Sequence, residues 1–134
     1  MSAPDEQLAR DWFDKAERDL LTAVTILGAV NVPTDIVCFH CQQASEKYLK
    51  GFLSWHATPP ARTHDLAALL VACTTLDPRL ASLRPLAIHL TDYAVDVRYP
   101  GLPHSDPTVL EAREALNAAG EIRLAVRMSL GLPP

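Results

Sequence analysis

Proline and glycine cut this chain into five stretches, and each repeats apolar residues at intervals of three or four. That spacing returns side chains to one face of a helix, whereas a half-buried strand alternates every second residue. No stretch alternates cleanly, so the chain reads as all-helical. The first stretch runs from about Glu6 to Leu27, with Leu8, Trp12, Ala16, Leu20, Val24 and Leu27 as its expected buried stripe. Gly28 and Asn31-Val32-Pro33 end it, because proline cannot continue a helix and restricts the residue before it. Thr34 is the expected N-cap of a second helix reaching about His56, and Thr58-Pro59-Pro60 is the next break. Thr63 is the expected cap of a third helix, whose apolar side carries Leu66, Leu69, Leu70 and Cys73. A turn through Asp77-Pro78 leads to a fourth, with Leu83, Ala87, Leu90, Ala94 and Val97. Pro85 fits there if Ser82 is the cap, since a first-turn proline forfeits only an orphan donor. Tyr99 to Pro107 is irregular. Asp106 is the expected cap, and Pro107 the opening residue, of a fifth helix showing Ala112, Ala115, Leu116, Ala119, Ile122 and Val126 on one face. Short connections favour antiparallel neighbours, so the expected fold is an all-α, antiparallel up-and-down bundle of four to five helices.

Composition narrows the function classes. A chain of 134 residues holds one domain with a hydrophobic core and has no room for two. Its net charge of −4 argues against a non-specific grip on nucleic acid, which draws on a surplus of cations. No apolar run approaches the ~18–20 residues needed to span a bilayer. Met1 to Arg10 is polar and acidic, without a signal-peptide core, and three cysteines make no disulfide framework. A cytoplasmic protein without a membrane contact is expected. Cys38-x2-Cys41 has no second Cys or His pair at zinc-site spacing and no preceding strand for a redox motif, so core packing is expected for both, and for Cys73. No metal or other cofactor is expected.

Three stretches together resemble the HEPN family. The first is Trp12-Phe13-Asp14-Lys15-Ala16-Glu17-Arg18-Asp19-Leu20. The second, and most specific, runs Cys38-Phe39-His40-Cys41-Gln42-Gln43-Ala44-Ser45-Glu46-Lys47-Tyr48-Leu49-Lys50 and is similar to the family's F-x-x-Q-Q-A-x-E-K-x-L-K helix. The third is Thr63-His64-Asp65-Leu66, followed by Tyr93 and then Arg98-Tyr99-Pro100-Gly101. The resemblance spans roughly Trp12 to Val126, so residues 1–134 read as a single HEPN-like helical domain. It implies a bundle of four or five helices, usually dimeric, with two known roles. Some members are metal-independent endoribonucleases with an R-x4–6-H motif near the start of the final core helix. Others accompany a small nucleotidyltransferase encoded beside them, often as toxin and antitoxin, or are thought to bind nucleotides.

Arg98 to His104 is R-x5-H at the junction before the last helix, which makes this pair the catalytic candidates. Metal-free RNA cleavage needs a base, an acid and a cation for the developing phosphorane charge; histidine and arginine supply these. Three departures stand against catalysis. Tyr99 and Pro100 follow the arginine where nuclease members carry a polar residue, the spacer holds two prolines and a glycine, and Asp106 stands where one toxin subgroup has tyrosine. Structural roles serve as well: Arg98 at the carbonyl end of helix four, His104 in a solvated loop. A second match, Arg84-x4-His89, puts its side chains on different faces of one helix and is read as coincidence.

Gln42, Gln43, Glu46, Lys47 and Lys50 form the densest polar group, read either as a solvated face laced with ion pairs or as a cleft for phosphate or base. Gln43, Lys47, His64 and Tyr99 are the candidate ligand-binding residues, and His40 is expected to be buried and hydrogen-bonded. Asp65 suits a helix first turn, where an anion contacted by His64 would also sit well. Of Trp12 and Trp55, one is expected in the core and the other at a dimer surface. The leading expectation is a nucleotide- or RNA-associated binding or regulatory homodimer paired with a separate small nucleotidyltransferase. A metal-independent endoribonuclease toxin using Arg98 and His104 is the alternative, and a nucleotide-binding dimer without a partner enzyme is the third.

Overall fold

The computed structural model describes residues 3–94, 100 and 106–134, and among these it is all-helical, with no strand. Helix α1 spans Ala3–Leu27, α2 Thr34–Trp55, α3 Leu66–Leu76, α4 Arg84–Thr91 and α5 Val109–Ser129. A 3-10 turn, Pro78–Leu83, joins α3 to α4, and a second, Asp92–Ala94, follows α4. Helix α2 is the centre of the bundle, packed against every other helix. Phe13 of α1 meets Gly51 of α2, Arg10 meets Trp55, and Asp19 meets His40, so these two helices run antiparallel.

The face that α1 buries overlaps the expected stripe at Ala16, and Leu20 and Leu27 of that stripe pack against the core partly buried, but the fully buried set is otherwise different. Ala9, Phe13, Ala16 and Ala23 are buried, while Leu8 and Val24 lie half-exposed. Both sets obey helical spacing, and packing selects the one with the smaller side chains. Alanine recurs every seventh residue along this seam, which lets α2 approach closely. Tyr48, Phe52, Leu49 and Leu53 fill the space on the α2 side, and Tyr48 stacks on Phe13 with ring centroids 5.1 Å apart. Neither tryptophan is in the core. Both are half-buried at the bundle edge beneath cations: Arg10 lies 5.3 Å from the Trp55 ring centroid and Lys50 5.8 Å from that of Trp12.

Helix starts depart from the expected caps by one or two residues. Pro33, not Thr34, precedes α2 as its cap, and Thr34 is the first helical residue. Asp65 caps α3, accepting from Ala67 N and Ala68 N at 3.0 and 3.2 Å, while Thr63 Oγ1 accepts from Asp65 N. Thr63 therefore supports the cap rather than forming it. Leu83, not Ser82, precedes α4, and Pro85 falls in its first turn as anticipated. Thr108 replaces Asp106 as the cap of α5. It forms a reciprocal capping box with Glu111, both bonds at 3.0 Å, which satisfies two orphan donors at once. Thr91 Oγ1 accepts from Leu66 N at 3.1 Å and so ties the end of α4 to the start of α3.

Candidate functional site

The polar group of α2 is not a solvated face. Gln42 is fully buried, Glu46 is 4% exposed, and Asp19 of α1, which faces His40 and Lys47, is 8% exposed. Two buried carboxylates organise this strip. Asp19 accepts from Lys47 Nζ at 2.5 Å and meets His40 Nδ1 at 2.8 Å. Glu46 accepts from Lys50 Nζ at 3.1 Å and Gln42 Nε2 at 3.2 Å, and meets His64 Nδ1 at 2.8 Å. A buried carboxylate is costly unless its lone pairs are filled, and both are filled here by a lysine and a histidine. His40 is half-buried and hydrogen-bonded, close to its expected state.

The strip brings two of the ligand-binding candidates, Gln43 and His64, onto one network. Gln43 Nε2 donates to Gln42 Oε1 at 2.8 Å, and Gln42 Nε2 donates to the His64 carbonyl at 3.1 Å. The Gln42 amide therefore couples Gln43 to the loop before α3. Lys47, a third candidate, sits apart in the cluster formed by Asp19 and His40. The His64 side chain is 64% exposed, so this ring is the most open part of the strip. Where Nδ1 is the protonated nitrogen donating to Glu46, Nε2 keeps its lone pair. Arg98, Tyr99 and His104 lie outside the described residues.

Periodicity left a second polar cluster unmarked. Tyr48 hydroxyl donates to Glu17 Oε1 at 2.5 Å, Arg123 Nε donates to the same oxygen at 2.7 Å, and Arg127 Nη1 lies 4.0 Å from it. Burial pulls the Glu17 carboxyl up, but hydrogen bonds from Tyr48 and Arg123, with the charges of Arg123 and Arg127, outweigh it and hold the carboxyl below its ordinary value. Burial, reinforced by the Glu17 hydrogen bond, pushes Tyr48 up to about 12. This cluster joins α1, α2 and α5. Its only sequence signal is the acidic pair Glu17 and Asp19 inside the first motif stretch, since its partners are far away along the chain.

The three cysteines are free and buried. Burial pushes each thiol up to about 12, which keeps them protonated and poorly suited to attack or metal ligation. Among the described residues, no group of three or more His, Cys, Asp or Glu is placed to hold a metal ion. No helix among them is long and apolar enough to cross a membrane.

The HEPN domain family model matches residues 9–129. The chain belongs to the HEPN family. Two solved structures share its fold closely. TT1696 from Thermus thermophilus is 32% identical with a TM-score of 0.80, over 90% of this chain and 96% of that one. ST0689, described as an archaeal HEPN homologue, is 30% identical with a TM-score of 0.73 over the same shares. No curated protein matches the chain significantly. In this HEPN chain the motif helix is thus an interior element, with His40 and Lys47 turned to Asp19 of α1 and Glu46 turned to His64 in the loop before α3.

Proposed function

We propose that this HEPN-family protein is a nucleotide- or RNA-associated binding and regulatory homodimer that works with a separate small nucleotidyltransferase, in a toxin–antitoxin type pair. The carrying observation is how the cations of the motif helix are engaged. Lys47 is held by Asp19 and Lys50 by Glu46, and the same carboxylates hold His40 and His64. A cation already neutralised by a buried carboxylate adds little to phosphate binding. The net charge of −4 works in the same direction. Such a chain contributes shape and a few polar contacts, from Gln43, Lys47, His64 and Tyr99, and leaves most phosphate neutralisation to a partner. The residues that follow Arg98, Tyr99 and Pro100, also depart from the pattern of nuclease members.

Co-expression with the small nucleotidyltransferase encoded beside it tests this reading. The two should elute as one complex whose RNA affinity is well above that of this chain alone. Tight, steeply salt-dependent RNA binding by the isolated chain, with no complex formed, would overturn the proposal.

A further inference from the structure

Helix α1 and the end of α5, with the tail that follows it, border an open cavity of about 260 Å³. Gln7, Arg10, Phe13 and Asp14 of α1 line one side, and Arg127 and Leu132 the other. The α1 residues recur at steps of three and four, so they share one face of that helix. The tail is turned back by Gly131 at φ +70°, where Leu132 N donates to the Arg127 carbonyl and closes the helix end. Two guanidinium groups and one carboxylate line the cavity, a local surplus of positive charge on a chain of net charge −4. No residue of the motif-helix strip takes part.

Both arginines are positioned without being used up. Arg127 is half-buried; its Nε donates to the Pro133 carbonyl and its Nη1 to the Tyr48 hydroxyl at 3.4 Å. Its carboxylate neighbour, Glu17, stands 4.0 Å away and already accepts from Arg123 and Tyr48. A guanidinium carries five N–H donors and two are used here, which leaves three without a protein acceptor among the described residues. Arg10 lies 5.3 Å from the Trp55 ring centroid and forms no ion pair among the described residues. A cation held over a ring face keeps its hydrogen-bond donors for other acceptors. Asp14 is one turn from Arg10 on α1, yet the two are not paired.

We propose that this cavity binds a small phosphate monoester, with the phosphate on Arg10 and Arg127 and a hydroxyl of the same molecule donating to Asp14. Arginine suits phosphate because several N–H groups meet several oxygens at once. Two guanidinium groups reaching in from different helices fit a tetrahedral anion. The two oxygens of a carboxylate lie in one plane and are satisfied by a single fork. A volume just under the ~300–1,000 Å³ of drug-sized sites selects a compact ligand. Asp14 repels a second phosphate and accepts from a hydroxyl, so the lining favours one anionic head on a polar body. Such a site takes a free metabolite whether or not a nucleotidyltransferase accompanies the chain.

Calorimetric titration in phosphate-free buffer tests it, with ribose 5-phosphate, inorganic phosphate, acetate and a 5′-phosphorylated oligonucleotide as probes. Amide NMR shifts locate each probe. Saturable binding of ribose 5-phosphate is expected, with the largest shifts at Gln7, Arg10, Asp14 and Leu132. Arg10→Gln should weaken it about tenfold, the loss of one charge-assisted contact. Arg113→Gln, at an exposed arginine at the other end of α5, should leave it unchanged. Asp14→Asn should weaken ribose 5-phosphate and tighten inorganic phosphate, because it removes an anionic acceptor and a repelling charge together. Circular dichroism melting confirms that each variant is folded. No saturable binding, acetate held as tightly as phosphate, equal losses from Arg10→Gln and Arg113→Gln, or an Asp14→Asn that tightens both phosphates alike overturns the proposal. Tighter binding of the oligonucleotide than of ribose 5-phosphate assigns these contacts to an RNA end and overturns the free metabolite.

Discussion

Alanine substitution at Gly51 and at Gly120 should move stability in opposite directions. A β-carbon on Gly51 would lie 2.5 and 2.8 Å from Cε1 and Cδ1 of Phe13, and 3.0 Å from Cβ of Trp12. Carbon–carbon contacts prefer about 3.5–4.0 Å, so the ring must retreat by about 1 Å. It has little room, because Phe13 is buried and stacked on the fully buried Tyr48. Overpacking a filled core costs about 1–3 kcal/mol, and the higher helix propensity of alanine returns about 0.8–1 kcal/mol. The net loss for Gly51→Ala is therefore up to about 2 kcal/mol. A β-carbon on Gly120 meets nothing within 4 Å, so Gly120→Ala keeps the propensity gain alone. With an unfolding entropy of ~2.1 cal/mol/K per residue, 1 kcal/mol shifts the melting temperature of a chain this long by about 3–4 °C. Thermal melts should show Gly120→Ala up by about 3 °C and Gly51→Ala down by as much as about 7 °C. Adding Phe13→Leu should cost less in the Gly51→Ala background than in wild type, because the clash is relieved. A rise for Gly51→Ala equal to that for Gly120→Ala would refute the close α1–α2 seam.

Asp19→Asn leaves Lys47 half-buried without its carboxylate and disturbs His40, so stability should fall by about 1–3 kcal/mol in urea titrations. An unchanged midpoint would show that the pair is solvated. The Glu17 and Asp77 carboxyls are both held below their ordinary 4.5 and 3.8: at Asp77 by hydrogen bonds from Arg79 and Ser129, and at Glu17 because burial is outweighed by hydrogen bonds from Tyr48 and Arg123. Groups lowered by folding contribute stability above their ordinary values and lose it as pH falls through the folded ones. Unfolding free energy should therefore decline from about pH 5 downward, with a shallower slope in Glu17→Gln; an identical slope would remove Glu17 from the account. Light scattering at micromolar concentration should give about twice the 14.7 kDa chain mass, and a monomer across a wide concentration range would refute the homodimer.

The helices and their breaks were legible because proline and glycine act locally, and a periodic stretch between two breaks has few other options. Faces were less legible. Leu8 and Val24 fit the helical period as well as Ala9 and Ala23 do, and only the closeness of α2 decides between them. The same holds for the motif helix. Glu46 and Lys50 are an i,i+4 pair on any helix, but the burial of Glu46 depends on His64, which reaches it from another element. Asp19 and Glu17 work through partners on other helices, and no local spacing announces them. Caps slipped by a residue or two where several small polar residues adjoin, as at Thr63 and Asp65 or Asp106 and Thr108. Of the site candidates, Gln43 and His64 share one network and Lys47 belongs to a separate cluster around Asp19, while Arg98, Tyr99 and His104 stand on the sequence alone.

The most direct test of a binding and regulatory role is single-stranded RNA incubated with the purified chain in excess chelator. The account predicts no cleavage above buffer for wild type, and the same blank result for His104→Ala. A general acid or base contributes ~10²–10⁴-fold, so a catalytic His104 could not be missed. Arg98→Lys gives a second check, since an ammonium keeps the charge but cannot make the forked phosphate contact. Chelator-resistant cleavage by wild type that disappears with His104→Ala and weakens with Arg98→Lys would contradict the account and establish a metal-independent endoribonuclease.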